Sequence, residues 1–277
     1  MTPPKKHEVM EFALRSISLG AGVQSSTLYL LAVHGEITPK PDVAIFADTQ
    51  SEPPWVYEQL DRLEEIGGDQ IPIARVTAGS LEQDCLRSRD GRSRWAAIPL
   101  FTTPQGGGSR GRLRRQCTRE YKIDVVRREI RRRVGASRVQ VEEWVGISLD
   151  ECHRAKPSRY PWITSRWPLL FDRPMRRGEC IEWMKSHGYP LPRKSACYFC
   201  PFRDDASWAE MKRDAPDVFA RAVEFDRSIR AAPLRGVTGQ CYLHSSLTPL
   251  DQVKFKESAE DQLDFGFGEE CEGMCGV

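Results

Sequence analysis

Three short apolar runs separated by two amphipathic segments fill residues 13–78, and this alternation constrains the chain more than any other feature. Ala13 to Leu19 reads as a strand, and SSTLYLLAVHG sets apolar residues at helical spacing before a glycine stop at Gly35. PDVAIFADTQ predicts a second buried strand, WVYEQLDRLEEIGG an amphipathic helix, and IPIARVTA a third strand. A β–α–β–α–β order of this kind predicts an α/β fold with a doubly wound, mostly parallel sheet and helices on both faces.

The first strand breaks into GAGVQSS, Gly20 to Ser26, before the helix begins. A Gly/Ser loop opening a helix aims backbone N–H groups and the positive end of the helix dipole at an anion, so the loop is a candidate phosphate site. It lacks the GK[ST] ending of a Walker A loop and is not GxGxxG.

Beyond residue 79 the periodicity dissolves as far as Arg115, and FTTPQGGGSRGRLRRQ reads as a surface loop able to close over substrate. TREYKIDVVRREIRRRVG then predicts a helix, and VQVEEWVGISLD a strand ending in a loop. Residues 153–192, rich in Pro, Trp and Arg, read as irregular with one helix, GECIEWMKSHG. SWAEMKRDAPDVFARAVEFDRSIRAA is helical, and the segment from Thr248 reads as weakly structured. The expected organisation is a nucleotide-binding α/β domain over 13–150, a Cys-rich, largely helical substrate-side region over 151–247, and a flexible tail over 248–277.

No apolar run approaches the roughly 18 residues of a membrane helix, and the start of the chain shows no secretory h-region, so a cytoplasmic protein without membrane association is expected. In a reducing compartment nine cysteines point to metal or redox roles rather than disulfides. Cys197 and Cys200 form a CxxC followed by Pro201, which suits a redox pair, half a zinc site or half an iron–sulfur site. Cys117 and Cys180 precede it, whereas Cys85 and Cys241 read as ordinary cysteines. The arginines of residues 110–133 suit a polyanion as well as a solvated helix face.

The loop, with Gly20, Ala21, Gly22, Val23, Gln24 and Ser25 in its six positions, resembles the SGGxDS loop of the PP-loop ATP pyrophosphatases, with Gly20 in place of the first Ser and Gln24 in place of the Asp. FADTQSEPPWVYE resembles the Asp-Thr-Gly segment of the phosphoadenosine phosphosulfate reductase branch, and VGISLDECHR its Gly-Ile-Arg-x-x-Glu-x-x-Arg segment. The resemblance covers about Arg15 to Arg203 and is nearest to the iron–sulfur ATPase of DNA phosphorothioation systems. It implies the adenine nucleotide alpha hydrolase (HUP-type) fold, with ATP and Mg²⁺ as ligands. Ser18, the loop residues through Ser26, Asp48 and Gly146 would bind the nucleotide. Asp48, Asp150, Glu151 and Arg154 would act in catalysis, with Cys152 as a possible persulfide carrier. Arg112, Arg114 and Arg115 would neutralise developing charge.

RRQCTREYKI resembles the Cys-Cys-x-x-x-Lys segment of adenylylsulfate reductases, with Thr118 in place of the second Cys. That implies a [4Fe-4S] cluster on Cys117, Cys180, Cys197 and Cys200, Zn²⁺ being the alternative occupant, and it makes Cys271 and Cys275 candidates for a redox relay. The expected function is ATP-dependent sulfur transfer to a nucleic acid, DNA or tRNA, with a cysteine desulfurase or other sulfur donor as partner. A sulfonucleotide reductase and a non-catalytic nucleotide-binding subunit are the alternatives.

Overall fold

The computed structural model describes residues 11–87, 98–103, 111–135, 138–231, 237 and 239–256. In chain order, β1 (Leu14–Leu19), α1 (Val23–Val33), β2 (Val43–Asp48), α2 (Pro54–Gly67) and β3 (Ile73–Thr77) follow the expected alternation. α3 (Leu81–Arg87), β4 (Phe101–Thr102) and β5 (Gly111–Arg112) come next, and a π-helical turn, Arg119–Ile123, runs into α4 (Asp124–Val134). β6 (Val141–Val145), β7 (Ile163–Arg166), α5 (Pro168–Phe171), α6 (Arg177–Ser186), α7 (Asp205–Asp214), α8 (Pro216–Ala231) and β8 (Cys241–Tyr242) complete the described elements.

The central sheet has the order β3-β2-β1-β6-β7, and its strand pairs are parallel. Alternation along each strand sends side chains to two faces. Ile17, Leu19, Ala44, Phe46 and Trp144 pack with residues of α1, α2 and α6, while Leu14, Val43, Ile45, Val141 and Ile163 pack with Val125, Val126 and Ile130 of α4. Helices therefore lie on both faces. The chain winds outward from β1 through β2 to β3, then returns to place β6 on the other side of β1. The carboxyl ends of β1 and β6 thus form a topological switch point, where ligands bind in open α/β sheets.

A second core lies beyond the carboxyl edge of β2. It combines Leu81 and Cys85 of α3, Cys197 to Phe199, and apolar residues of α7 and α8, with Cys241 of β8. β5, β4 and β8 form a small antiparallel sheet beside it.

Three expectations change here. The 79–115 stretch is not uniformly loop, because Leu81 and Cys85 give α3 one buried side. Residues 153–192 contain β7, which extends the parallel sheet past residue 150; Arg166 anchors it through Asp172, Glu142 and the Thr38 carbonyl. The segment after Thr248 is ordered through Lys256 by the buried Leu250, whose N–H donates to Asp226. The glycine run at 106–108, Arg110, Cys271 and Cys275 lie outside the described residues.

Candidate functional site

β1 ends at the switch point with Ser18 buried, and the loop turns through Ala21 at φ +58°. That left-handed backbone costs a Cβ-bearing residue roughly 1–2 kcal/mol. Gly22 is the N-cap of α1 in extended conformation, and Val23 and Gln24 form its first turn. Ser25 closes the loop on itself: its hydroxyl accepts from the Gly20 N–H at 3.2 Å and donates to the Gly22 carbonyl at 3.3 Å. Ser26 accepts from Gln59 at 3.4 Å, tying α1 to α2. Gly146, just past β6, comes so close that an added Cβ would lie 3.0 Å from Ser25 Cα and 3.2 Å from Gln24 C. The sheet edge is thus pinched against the loop at a point where a side chain would force the backbone to give by a few tenths of an ångström.

Gln24 is 1% exposed and neither its Oε1 nor its Nε2 has a hydrogen-bond partner; the hydroxyl of Ser148, two residues past Gly146, is equally buried and unpartnered. Buried polar atoms are paired in the great majority of cases, and leaving one unpaired costs about 1–3 kcal/mol. Unspent donors on both sides of a switch point are what a site for an oxygen-rich anion requires.

The acidic candidates are committed elsewhere. Asp48 Oδ1 accepts from Gln50 N–H at 2.7 Å and from Tyr57 hydroxyl at 2.8 Å, holding a turn in which Gln50 has φ +56°. Asp150 Oδ2 accepts from the Arg177 N–H at 2.5 Å at the start of α6. Glu151 pairs with Arg154 at 2.7 Å on the 3₁₀ turn Leu149–Arg154, and Cys152 on that turn is exposed. These residues gather after β6 as the sequence pattern suggests, and their interactions are those of caps and local ion pairs.

After β2 the chain enters the second core. The Thr49 carbonyl accepts from Leu81 N–H and the Ser51 carbonyl from Tyr198 N–H, each at 3.0 Å. Thr49 hydroxyl lies 3.1 Å from Glu52 Oε1 and 3.3 Å from Cys197 Sγ, while Lys122 Nζ meets Glu52 at 3.4 Å. Cys117, Cys197 and Cys200 line one cavity of about 30 Å³ with Thr49, Lys122, Arg115, Phe199 and Phe202. Burial, with Glu52 nearby, pushes the Cys197 thiol well up despite the opposing pull of Lys122. Arg115, which lines the cavity, and the exposed Arg112 stack on Phe202, 5.3 and 5.2 Å from its ring centre; Arg114 is exposed as well.

Cys180 does not join these three. Its α6 packs on α1, and the thiol is fully buried in the sheet core with Trp183 and Met184. Cys85 of α3 is instead in the thiol core, where burial first and the nearby Cys117 second push its thiol well up. Sequence reasoning missed Cys85, Thr49, Glu52 and Ser148. Cys85 sits in LEQDCLR with no spacing relation to the other thiols; Thr49 and Glu52 lie within FADTQSEPPWVYE and Ser148 within VGISLDECHR, segments whose pattern draws attention to other residues.

Tested against a metal, this donor set has the soft thiols that zinc and iron–sulfur clusters take. Among the described residues, however, no three His, Cys, Asp or Glu side chains stand together at a separation that would hold an ion. No family model matches this chain, and no curated protein matches it.

Proposed function

We propose that this chain is an ATP-dependent sulfur-transfer enzyme of the reductase-like PP-loop kind, acting in the cytoplasm on a nucleic acid, DNA or tRNA. The observation that carries the reading is Gln24, a buried carboxamide with both ends unpaired in the first turn of α1 at the switch point. A triphosphate supplies acceptors for its Nε2, for the Ser148 hydroxyl and for the loop amides. Ser25 would exchange its contacts within the loop for the phosphate. An oxygen of the substrate then attacks the α-phosphorus, the bond to the bridging oxygen breaks, and pyrophosphate leaves with Mg²⁺. Sulfur from a donor such as a desulfurase would afterwards displace AMP; where it arrives as a persulfide, a thiol reductant would then cleave the S–S bond joining product to donor.

The thiol cavity supports the sulfur half of the proposal because Thr49 joins it directly to the carboxyl edge of the sheet. If Cys117, Cys197 and Cys200 drew closer together than they stand in the structure, they could hold a [4Fe-4S] cluster, with Cys85, whose thiol interacts with Cys117, as fourth ligand in place of Cys180; the cluster would supply a sulfide-binding or electron-transfer centre. Thr49 and Lys122 would position Cys197. Arg112 and Arg115 at the cavity offer planar donors to substrate phosphates.

The test is product analysis on the full chain with ATP and Mg²⁺ over panels of DNA and tRNA, with iron, sulfide and zinc measured on anaerobic preparations. Release of AMP and pyrophosphate that depends on nucleic acid and falls in Gln24→Ala is expected. Formation of ADP and phosphate, or no turnover with either polymer, would overturn the activity. Iron lost in Cys85→Ser and Cys197→Ser but kept in Cys180→Ser is expected; the reverse pattern restores Cys180 as the ligand.

A further inference from the structure

The α4 face of the sheet holds a second cavity, of about 320 Å³, with no lining residue in common with the loop or the thiol core. It is lined by Glu143 of β6, by Arg119, Asp124 and Arg127 of the π-helical turn and α4, and by Ser158, Arg159 and Tyr160 before β7. That volume lies at the lower end of the range for small-molecule sites.

Glu143, which lines the cavity, belongs to a polar row that crosses three strands, its neighbours Ser16 and Ser165 lying beside the cavity rather than in its lining. Ser16, Glu143 and Ser165 are register partners on β1, β6 and β7, so their side chains stand in a row on one face. A parallel sheet covered on both faces is ordinarily apolar at such positions. Glu143 is 8% exposed and, among the described residues, makes no hydrogen bond or ion pair. The hydroxyls of Ser16 and Ser165 are also buried and unpartnered. Such a row costs stability unless something hydrogen-bonds to it.

The other side of the cavity is basic. Asp124 pairs with Arg127 at 3.0 Å and Arg119 at 3.8 Å, and Arg127 also stacks on Tyr160, 4.4 Å from its ring centre. Arg159 is exposed and, among the described residues, has no ion pair. One carboxylate shared by two arginines, with a third unpaired, leaves net positive charge opposite the buried acid.

A ligand that satisfies both sides has a flat edge with two adjacent hydrogen-bond donors and, at its other end, an anionic group. The N1–H and N2–H₂ of guanine match the two oxygens of a carboxylate, and a phosphate matches planar guanidinium groups. We propose that this cavity is a binding site for a guanine nucleotide, with the base edge on Glu143 and the phosphate on Arg119, Arg127 and Arg159.

The experiment is calorimetric titration of the full chain with GMP and with IMP, which lacks the N2 amino group. Saturable binding of one GMP per chain is expected, about ten-fold weaker for IMP and about ten-fold weaker in Glu143→Gln, where one donor pair is lost. Arg159→Glu, an exposed change that leaves the core intact, is expected to weaken GMP by a similar factor. No saturable binding at millimolar GMP, or binding indifferent to both substitutions, would overturn the site. GMP binding that survives Gln24→Ala separates this site from the phosphate loop, and loss in that variant alone would overturn the assignment to Glu143. Competition by a thymidine oligonucleotide carrying one guanosine would assign the nucleotide to a polynucleotide strand, and its failure to compete would assign it to the free pool.

Discussion

Two segments leave the carboxyl edge of the sheet side by side, the loop after β1 and the stretch Thr49–Glu52 after β2, and they use their polar groups in opposite ways. After β2 both backbone carbonyls and the Thr49 hydroxyl are spent on the second core, and Glu52 takes Lys122. After β1 the Gln24 carboxamide is buried with nothing to bind, as is the Ser148 hydroxyl across the switch point. Since an unpaired buried polar group is a standing cost, the Thr49–Glu52 stretch reads as a joint between two cores and the loop after β1 as a site kept for a ligand. Asp48 lies between them in sequence and in role: a carboxylate at a ligand-binding edge that holds its own turn.

The largest expected effect tests the joint. Side chains of Lys122 and Glu52 are 10% and 2% exposed, so Lys122→Met strands a buried carboxylate and is expected to cost about 3–5 kcal/mol in chemical denaturation. Adding Glu52→Leu to that variant should recover most of the loss. A single variant within 1 kcal/mol of the parent would mean that the two cores are joined by apolar packing instead.

Glu143 sharpens the other half of the comparison, since it is an acid in the sheet itself that is unpaired among the described residues. Burial pushes its carboxyl up to about 7, against about 4.3 for an unfolded glutamate. Below the unfolded value both states hold the proton and folding carries no penalty. As pH rises toward 7 the unfolded chain ionises first, so stability falls by about 3–4 kcal/mol and then levels off. Urea midpoints across pH 4.5–8 should show that decline and lose most of it in Glu143→Gln. An equally steep decline in the variant would assign the pH dependence to other groups.

What the sequence made legible follows the same division. The strands and helices of 13–78 are readable because periodicity reports burial directly, and the loop is readable because its glycines and serines interrupt that periodicity, although the left-handed backbone falls on Ala21 rather than on a glycine. β7 is not, because ITSR offers four residues in a Pro- and Trp-rich stretch, too few for a period to register. The CxxC announces itself by spacing, but which distant thiol faces it depends on tertiary packing. Cys180 is nearer in sequence, yet α6 turns it into the core against α1, while α3 carries Cys85 to the thiol core. The acidic motif after β6 is visible as residues but not as chemistry, because a carboxylate that caps a helix looks the same in sequence as one that meets a nucleotide.

Gln24→Ala separates ligand binding from architecture at the loop. Removing an unpaired buried amide is expected to leave thermal stability unchanged or slightly raised, while ATP affinity drops about ten-fold, the equivalent of about 1.4 kcal/mol. A variant that melts much earlier and binds ATP normally would turn the loop into a second joint.

The smallest expected effect bears on Asp150, where the comparison is sharpest at a single residue. If its carboxylate serves as a cap, Asp150→Ala removes one acceptor from the first turn of α6 and costs about 0.5–1 kcal/mol. Asp150→Asn, which keeps an oxygen for the Arg177 N–H, should restore most of that loss. ATP turnover should be within two-fold of the parent in both variants, measured by pyrophosphate release. If instead Asn rescues stability but not turnover, the charge itself is used: Asp150 would then have to leave Arg177 when nucleotide binds, and the start of α6 would become part of the site.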